Sequence, residues 1–220
     1  MSHPPLVSVI VCVHNQQKFI GRCLRSLTAQ SLGHDNYEII VVDDGSTDLT
    51  PYALDLFSGA IKVITNETNI GLPASVNRGI EAAAGEYIVR VDSDDYVNAH
   101  FLLILLLYLQ TNNSVHAVAC DYYLVNDQED VLRRCDARDA PIACGIMFVR
   151  TALEAIGLYD ESFRWNEEKE LRVRFEKEHI LEHIAMPLYR YRRHESNMTN
   201  DTAAMAEHQR RLEQKHGAQD

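Results

Sequence analysis

No apolar run in this chain is long enough to cross a bilayer. The longest, Phe101 to Leu109, is nine residues, against the roughly 20 that a spanning helix needs. It reads as a buried helix, with a membrane-facing position as the alternative. Basic residues are also short. Lys and Arg number 21 against 32 Asp and Glu, for a net charge of −11. That excludes a general nucleic-acid binder, which needs clustered cations to meet phosphates. It also disfavours docking on anionic lipid, apart from the local patch Arg190-Tyr191-Arg192-Arg193. Cysteines are five, an odd number, and none forms a C-x-x-C pair. A disulfide framework or structural zinc site is therefore not expected, and a reducing cytosol is. The start, Met1-Ser2-His3-Pro4-Pro5, lacks the basic segment and apolar run of a secretory signal. No repeat and no change of composition divides the chain. A single domain is expected over residues 1–200, in two halves (5–98 and 99–200), with a polar helix or tail over 201–220.

What is present suits a packed core, since 46% of the residues are hydrophobic. Leu6 to Val13 is almost continuously apolar and β-branched, the pattern of a strand buried on both faces. His14-Asn15-Gln16-Gln17 breaks it and contains no glycine, so the Gly-rich, cation-bearing loop that would cradle a triphosphate is absent. Phe19, Ile20, Cys23, Leu24 and Leu27 recur at helical spacing up to about Gln30. Strands are then expected at Tyr37–Val42 and Ile61–Ile64, and helices at Thr50–Phe57 and Ala74–Ala84, with Pro51 suited to a first turn. This alternation predicts a parallel α/β sheet. Beyond Asp95 the order loosens. Helices are expected at Phe101–Gln110, Thr151–Ile156 and Glu167–Glu178, and strands at Val115–Ala119, Ile142–Val149 and Tyr189–Tyr191. Asn126–Asp139 reads as a hairpin or flexible loop, and the residues from Thr202 as a solvent-facing helix or a disordered tail.

The stretch from Gly85 to Asp95 stands apart. Tyr87, Val89 and Val91 alternate with more polar residues, and the segment ends in Asp92-Ser93-Asp94-Asp95. Carboxylates where a strand gives way to a loop lie at the sheet edge where open α/β folds bind ligands. A hard divalent cation carrying phosphate oxygens would relieve their repulsion; an isolated solvated acidic turn is the plain alternative.

Three tracts in order decide between these: Val7-Ser8-Val9-Ile10-Val11, Val41-Val42-Asp43-Asp44-Gly45-Ser46 and Val91-Asp92-Ser93-Asp94-Asp95. Together they resemble the family-2 inverting glycosyltransferases, over roughly residues 5–200. Asn69-x-Gly71, Asn77-x-Gly79, Gly157-x-Tyr159-Asp160, Glu167-Glu168 and Tyr191-Arg192-Arg193-His194 are further agreements. The resemblance implies a GT-A (Rossmann-like) α/β fold, a mostly parallel central sheet flanked by helices, with a smaller acceptor-side subregion. Residues 5–98 would be its nucleotide-sugar-binding half and 99–200 its acceptor half. It implies that a nucleotide-diphospho-sugar, UDP-sugar favoured, donates to a carbohydrate or lipid-linked acceptor in bacterial surface polysaccharide or glycan assembly. The work would be done in the cytoplasm, at the inner face of the membrane. Peripheral membrane association and a homodimer are both compatible with it; a nucleic-acid partner is not.

Residue by residue, Asp44 resembles the position that accepts a hydrogen bond from the base, and His14 stands where a Tyr often packs on it. Asn15, Asn77, Arg78, Asp92 and Ser93 complete the implied donor set. Asp94 resembles the ligand of Mn²⁺ or Mg²⁺, and His194 a late histidine that helps hold the metal or diphosphate. Glu168 takes the position of the catalytic base, where Asp is usual. Val76 stands where an Arg is common, and Arg78 or Arg90 is the substitute on offer. Asp44 as a turn cap and Glu168 as a dipole-complementing residue are the structural alternatives. For the whole chain the alternative is a non-catalytic nucleotide-sugar binder or regulatory homologue.

Overall fold

The structure is a computed structural model in which residues 3–163, 165–195, 197 and 202–217 are described. Its first half alternates strand and helix: β1 (Val7–Val13), α1 (Ile20–Thr28), β2 (Tyr37–Asp43), α2 (Thr50–Asp55), β3 (Lys62–Thr65), α3 (Leu72–Glu81) and β4 (Tyr87–Arg90). The second half holds β5 (Tyr96–Val97), α4 (Phe101–Thr111), β6 (Ala117–Val125), β7 (Val131–Cys135), β8 (Ile146–Val149), α5 (Arg150–Ala155), α6 (Glu167–Glu178), β9 (Leu181–Arg192) and α7 (Thr202–His216). All described strands join one sheet in the order β3-β2-β1-β4-β8-β6-β9-β5, with β7 on β6.

The four strands of the first half run parallel, as the alternation predicts. Their register brings Val13 beside Asp43 and Asp43 beside Thr65, so the carboxyl ends of β1, β2 and β3 finish level. The second half departs from the parallel expectation. β8 runs antiparallel to β4, β6 antiparallel to β8, and β9 parallel to β6.

Core residues sort by the two-residue period of a strand. Val7, Val9, Val11 and Val13 of β1 pack on one face with Leu24 and Leu27 of α1 and Phe101, Leu102 and Leu105 of α4. Ile10 turns to the other face, with Val76 and Ile80 of α3 and Leu171 and Phe175 of α6. There α3 approaches β1 so closely that a Cβ on Gly79 would stand 2.6 Å from Ile10 Cγ2. That contact explains the glycine of Asn77-x-Gly79. Gly45 answers to the backbone instead. Its φ of +68° suits glycine, and a Cβ there would meet the Thr68 carbonyl carbon at 2.7 Å.

Several boundaries differ from the sequence expectation. β6 continues to Val125 and β9 begins at Leu181, where shorter strands were expected. β5 was not anticipated at all, being a two-residue strand between acidic and polar neighbours. Asn126–Asp139 contains β7 and forms the hairpin alternative, not the flexible loop. Of the segment expected as a polar helix or tail, Thr202–His216 is a helix and its Leu212 is buried, so it is not wholly solvent-facing; residues 201 and 218–220 lie outside the described residues. No helix among the described residues is long and apolar enough to cross a membrane.

Candidate active site

A cavity of about 540 Å³ opens where the parallel strands end. Its lining includes His14, Asn15, Asp44, Asp92, Ser93, Asp94 and Glu168. Seven of the expected site residues thus meet in one place; Asn77, Arg78 and His194 do not line it.

The wall that carries Asp44 is built from backbone and amide contacts. Asp43 caps the turn that follows β2, accepting from the Ser46 N–H at 3.0 Å. Asp44 clamps the loop before α3. Its Oδ1 accepts from Asn66 Nδ2 at 2.7 Å and from the Ile70 N–H at 2.8 Å, and its Oδ2 from the Gly71 N–H at 3.0 Å. A carboxylate has about four acceptor positions, so these contacts leave Oδ2 capacity for a donor on a ligand. Behind them Arg78 donates to Asn66 Oδ1. Arg78 therefore supports the Asp44 clamp from outside the cavity, a correction to its expected place in the donor set.

At the rim, His14 Nδ1 lies 2.8 Å from the Asp44 carbonyl oxygen and must carry the proton. Nε2 is then the acceptor, and Asn15 Nδ2 donates to it at 3.2 Å. Asn15, at φ 54°, also accepts from the Thr47 and Asp48 N–H groups through Oδ1. Its amide is committed to joining two loops. Asn77 is likewise committed. It pairs with the backbone of Tyr159 in both directions, at 2.9 and 3.0 Å, and holds the turn beneath α6. This second correction has a plain cause: α3 packs against that turn, and the buried amide is needed to satisfy its peptide groups.

The acidic cluster divides into three roles. Arg90, buried, donates from Nε to Asp92 Oδ1 at 2.8 Å and from Nη1 to Glu167 Oε1 at 3.0 Å. It lines the cavity but is engaged at both ends, so it does not simply replace an arginine at Val76. Asp94 Oδ2 meets His194 Nε2 at 2.8 Å, and the His194 ring stacks on Phe19 at 4.6 Å. Asp95 is buried and structural. It accepts from the Tyr189 hydroxyl at 2.8 Å and from the Arg192 N–H at 2.7 Å. Burial, then the charges of Asp94 and Asp92, push its carboxyl well above the usual range.

Among the described residues two sets bring three potential ligands together: Asp92, Asp95 and Cys144, which meets the cavity at Asp92, and Asp121, Asp136 and His183, none of which lines it. Oxygen or sulfur atoms of Asp92, Asp95 and Cys144 lie within 4.8 Å of one another. In that set Asp95 is already spent on β9, and burial pushes the Cys144 thiol up, away from the ionised form a metal requires. Asp94, which lines the cavity with the His194 imidazole 2.8 Å from its Oδ2, suits Mn²⁺ or Mg²⁺ better, since hard cations take carboxylate oxygen in preference to thiol.

Across the cavity, Pro141, Ile142, Ala143, Trp165 and Tyr191 form an apolar and aromatic wall with Asn166, Glu167 and Glu168. Sequence reading passed over Trp165 and Ile142; an aromatic residue just before the Glu167-Glu168 pair was the available signal. Glu168 is half-buried at the start of α6, and no ion pair restrains it among the described residues. Burial, then the neighbouring Glu167 charge, push its carboxyl up to about 7. That is a useful value for accepting a proton near neutrality.

A cavity at the carboxyl edge of the parallel strands, a carboxylate clamp after β2 and an acidic loop after β4 define an α/β protein of the GT-A type. The fold is shared with solved structures. TarS of Staphylococcus aureus, residues 1–349 with UDP-GlcNAc, matches with a TM-score of 0.78 at 21% identity, over 94% of this chain and 65% of that one. The mannosyltransferase PcManGT of Pyrobaculum calidifontis, with GDP-Man and Mn²⁺, matches with a TM-score of 0.76 at 18% identity, over 97% and 64%. The profile of Glycosyl transferase family 2 matches residues 8–195, and the chain belongs to that family. Relatives include an uncharacterized glycosyltransferase of Haemophilus influenzae, 36% identical over 59% of this chain and 40% of its own length. The putative glycosyltransferase EpsH of Bacillus subtilis is 40% identical over 54% of this chain and 34% of its own length. These matches span well under half of either relative.

Proposed function

We propose that the chain is a metal-dependent inverting glycosyltransferase that moves a sugar from a nucleotide diphosphate, UDP favoured, to a carbohydrate or lipid-linked acceptor. The observation that carries the reading is one cavity lined both by the Asp44 carboxylate clamp and by Glu168, whose carboxyl is pushed up to about 7. In this reading Asp44 and His14 hold the base, and Asp92 and Ser93 orient the ribose and donor sugar. Asp94 and His194, with Asp92, would hold Mn²⁺ or Mg²⁺, whose charge screens the diphosphate as it departs. Glu168 removes the acceptor hydroxyl proton while that oxygen bonds to the anomeric carbon and the carbon–phosphate-oxygen bond breaks behind it. Opposite-face attack inverts the anomeric centre. Pro141, Ile142, Trp165 and Tyr191 shield this step from bulk water.

The UDP-GlcNAc bound to TarS supports a UDP-sugar, and TarS, a poly(ribitol-phosphate) β-N-acetylglucosaminyltransferase, supports an acceptor that belongs to a bacterial polymer. Five free cysteines, four of them buried, are in keeping with the cytoplasm. A non-catalytic binder has no need of a glutamate raised toward neutrality beside a donor cavity, which counts against that alternative.

The test is calorimetric titration of UDP and GDP into the protein with and without Mn²⁺, repeated on Asp94→Ala. Metal-dependent binding of one nucleotide, lost in the variant, is the expected result. Absence of binding for both nucleotides under every condition would overturn the donor site.

A further inference from the structure

Helix α7 packs on the segment that carries the acceptor wall, and its contacts converge on the first turn of α6. Leu212 is its buried apolar anchor. Arg211 donates to the Ser162 carbonyl at 2.7 Å, and its guanidinium lies 4.8 Å over the buried Phe163 ring. Lys215 Nζ bridges Asp160 Oδ2 and Glu170 Oε1, both at 2.6 Å, and His216 Nε2 lies 3.1 Å from the same Glu170 oxygen. The Glu170 side chain is fully buried and is held from the other side by Arg174 at 2.6 Å. Arg174 in turn donates to the Ile156 and Leu158 carbonyls. Burial alone would raise the Glu170 carboxyl, but hydrogen bonds from Arg174 and Lys215 outweigh it and keep the group below its ordinary value. One of the two cations that hold this buried carboxylate comes from α6 itself and the other from α7. Finally, the His208 ring sits 5.1 Å from the Trp165 ring.

Glu170 follows Glu168 by two positions in the same helical turn, and Trp165 directly precedes that turn. We propose that α7 is an intramolecular brace, in which Lys215 and His216 are positioning residues that fix Trp165 and Glu168 on the acceptor wall. The physical reason is leverage on a short element. A helix start held by a buried carboxylate moves if that carboxylate loses a cation, and the placement of a base matters at the level of an ångström. The part that concerns Glu168 rests on its reading as the base; the part that concerns Trp165 does not.

The chain has one tryptophan, so its fluorescence reports on this wall alone. The experiment compares the full chain with Lys215→Met, Lys215→Arg and His216→Gln. It reads Trp165 emission, acrylamide quenching, UDP affinity with Mn²⁺, and UDP release from UDP-GlcNAc. Lys215→Met keeps the aliphatic stem over Phe163; should it lower the melting temperature too far to assay, His216→Gln carries the test. We expect the quenching constant to rise roughly twofold with a red-shifted emission in Lys215→Met, as for a locally opened segment. UDP release should fall about tenfold or more while UDP affinity stays within about threefold, the donor wall being a separate site. Lys215→Arg should restore both readouts. Unchanged emission and quenching in Lys215→Met and His216→Gln would overturn the brace. Altered fluorescence with undiminished UDP release would overturn the positioning of Glu168. If the parent protein neither binds UDP nor releases it, the UDP-sugar preference fails, and the fluorescence arm still decides the brace.

Discussion

Two carboxylates stand side by side at the start of α6 in opposite environments. Glu167 is paired with buried Arg90, whereas Glu168 has no such partner and is pushed up to about 7. A base works ionised, so the rate at limiting substrate should rise with pH through about 7 and level off above it. Glu168→Gln should remove that limb and lower turnover by about 10²–10⁴-fold, which a pH–rate series on both proteins checks. The same shift has a stability consequence of fixed sign. A carboxyl raised in the folded state favours folding below its ordinary range, and that contribution is lost as pH rises through about 7. Glu168→Gln should therefore gain melting temperature relative to the parent as pH rises from about 4.5, with the full difference above about 7 and none below the ordinary glutamate range. Arg90 is the counterpart. Arg90→Met leaves Glu167 and Asp92 without their cation and should cost about 3–5 kcal/mol in denaturant unfolding. At this scale the sequence marked the carboxylates that line the cavity but not their partners. Asp44 and Asp92 were legible because they end strands, whereas the engagement of Arg78 with Asn66 and of Asn77 with Tyr159 depends on how α3 docks.

At the scale of elements, the best-read segments were those with buried strands and amphipathic helices, from β1 to β4. Continuous β-branched runs and terminal glycines mark them locally. β9 was read only at Tyr189–Tyr191 because its earlier part, with Glu182, His183 and Pro187, lacks strand alternation and is set by pairing with β6. The docking of α7 was illegible for a similar reason. Its anchoring contacts are charges whose partners lie some 45 to 55 residues away in the sequence, as with Lys215 and Asp160. Gly79 gives this scale its prediction. Gly79→Ala drives a methyl into Ile10 and should destabilise by about 1–3 kcal/mol, read as a lowered melting temperature.

For the molecule as a whole, the sheet aligns its strand ends so that one cavity receives the Asp44 loop, an acidic loop and the start of α6. The order of tracts along the chain made that architecture legible; the apolar and aromatic lining stayed hidden because Pro141–Ala143 and Trp165 meet only through the fold. If the cavity is the donor site, UDP with Mn²⁺ should stabilise the entire domain. At a hundredfold excess over Kd the gain is about 2.7 kcal/mol, and thermal melts with and without metal would show it.

The most direct test of the account follows the sugar. Released from UDP-GlcNAc in the presence of Mn²⁺, it is observed by proton NMR before the anomers equilibrate. Inversion by a base on the far wall predicts the β anomer first, with the signal lost in Glu168→Gln. The α anomer first, or release that is indifferent to Glu168→Gln, would contradict it.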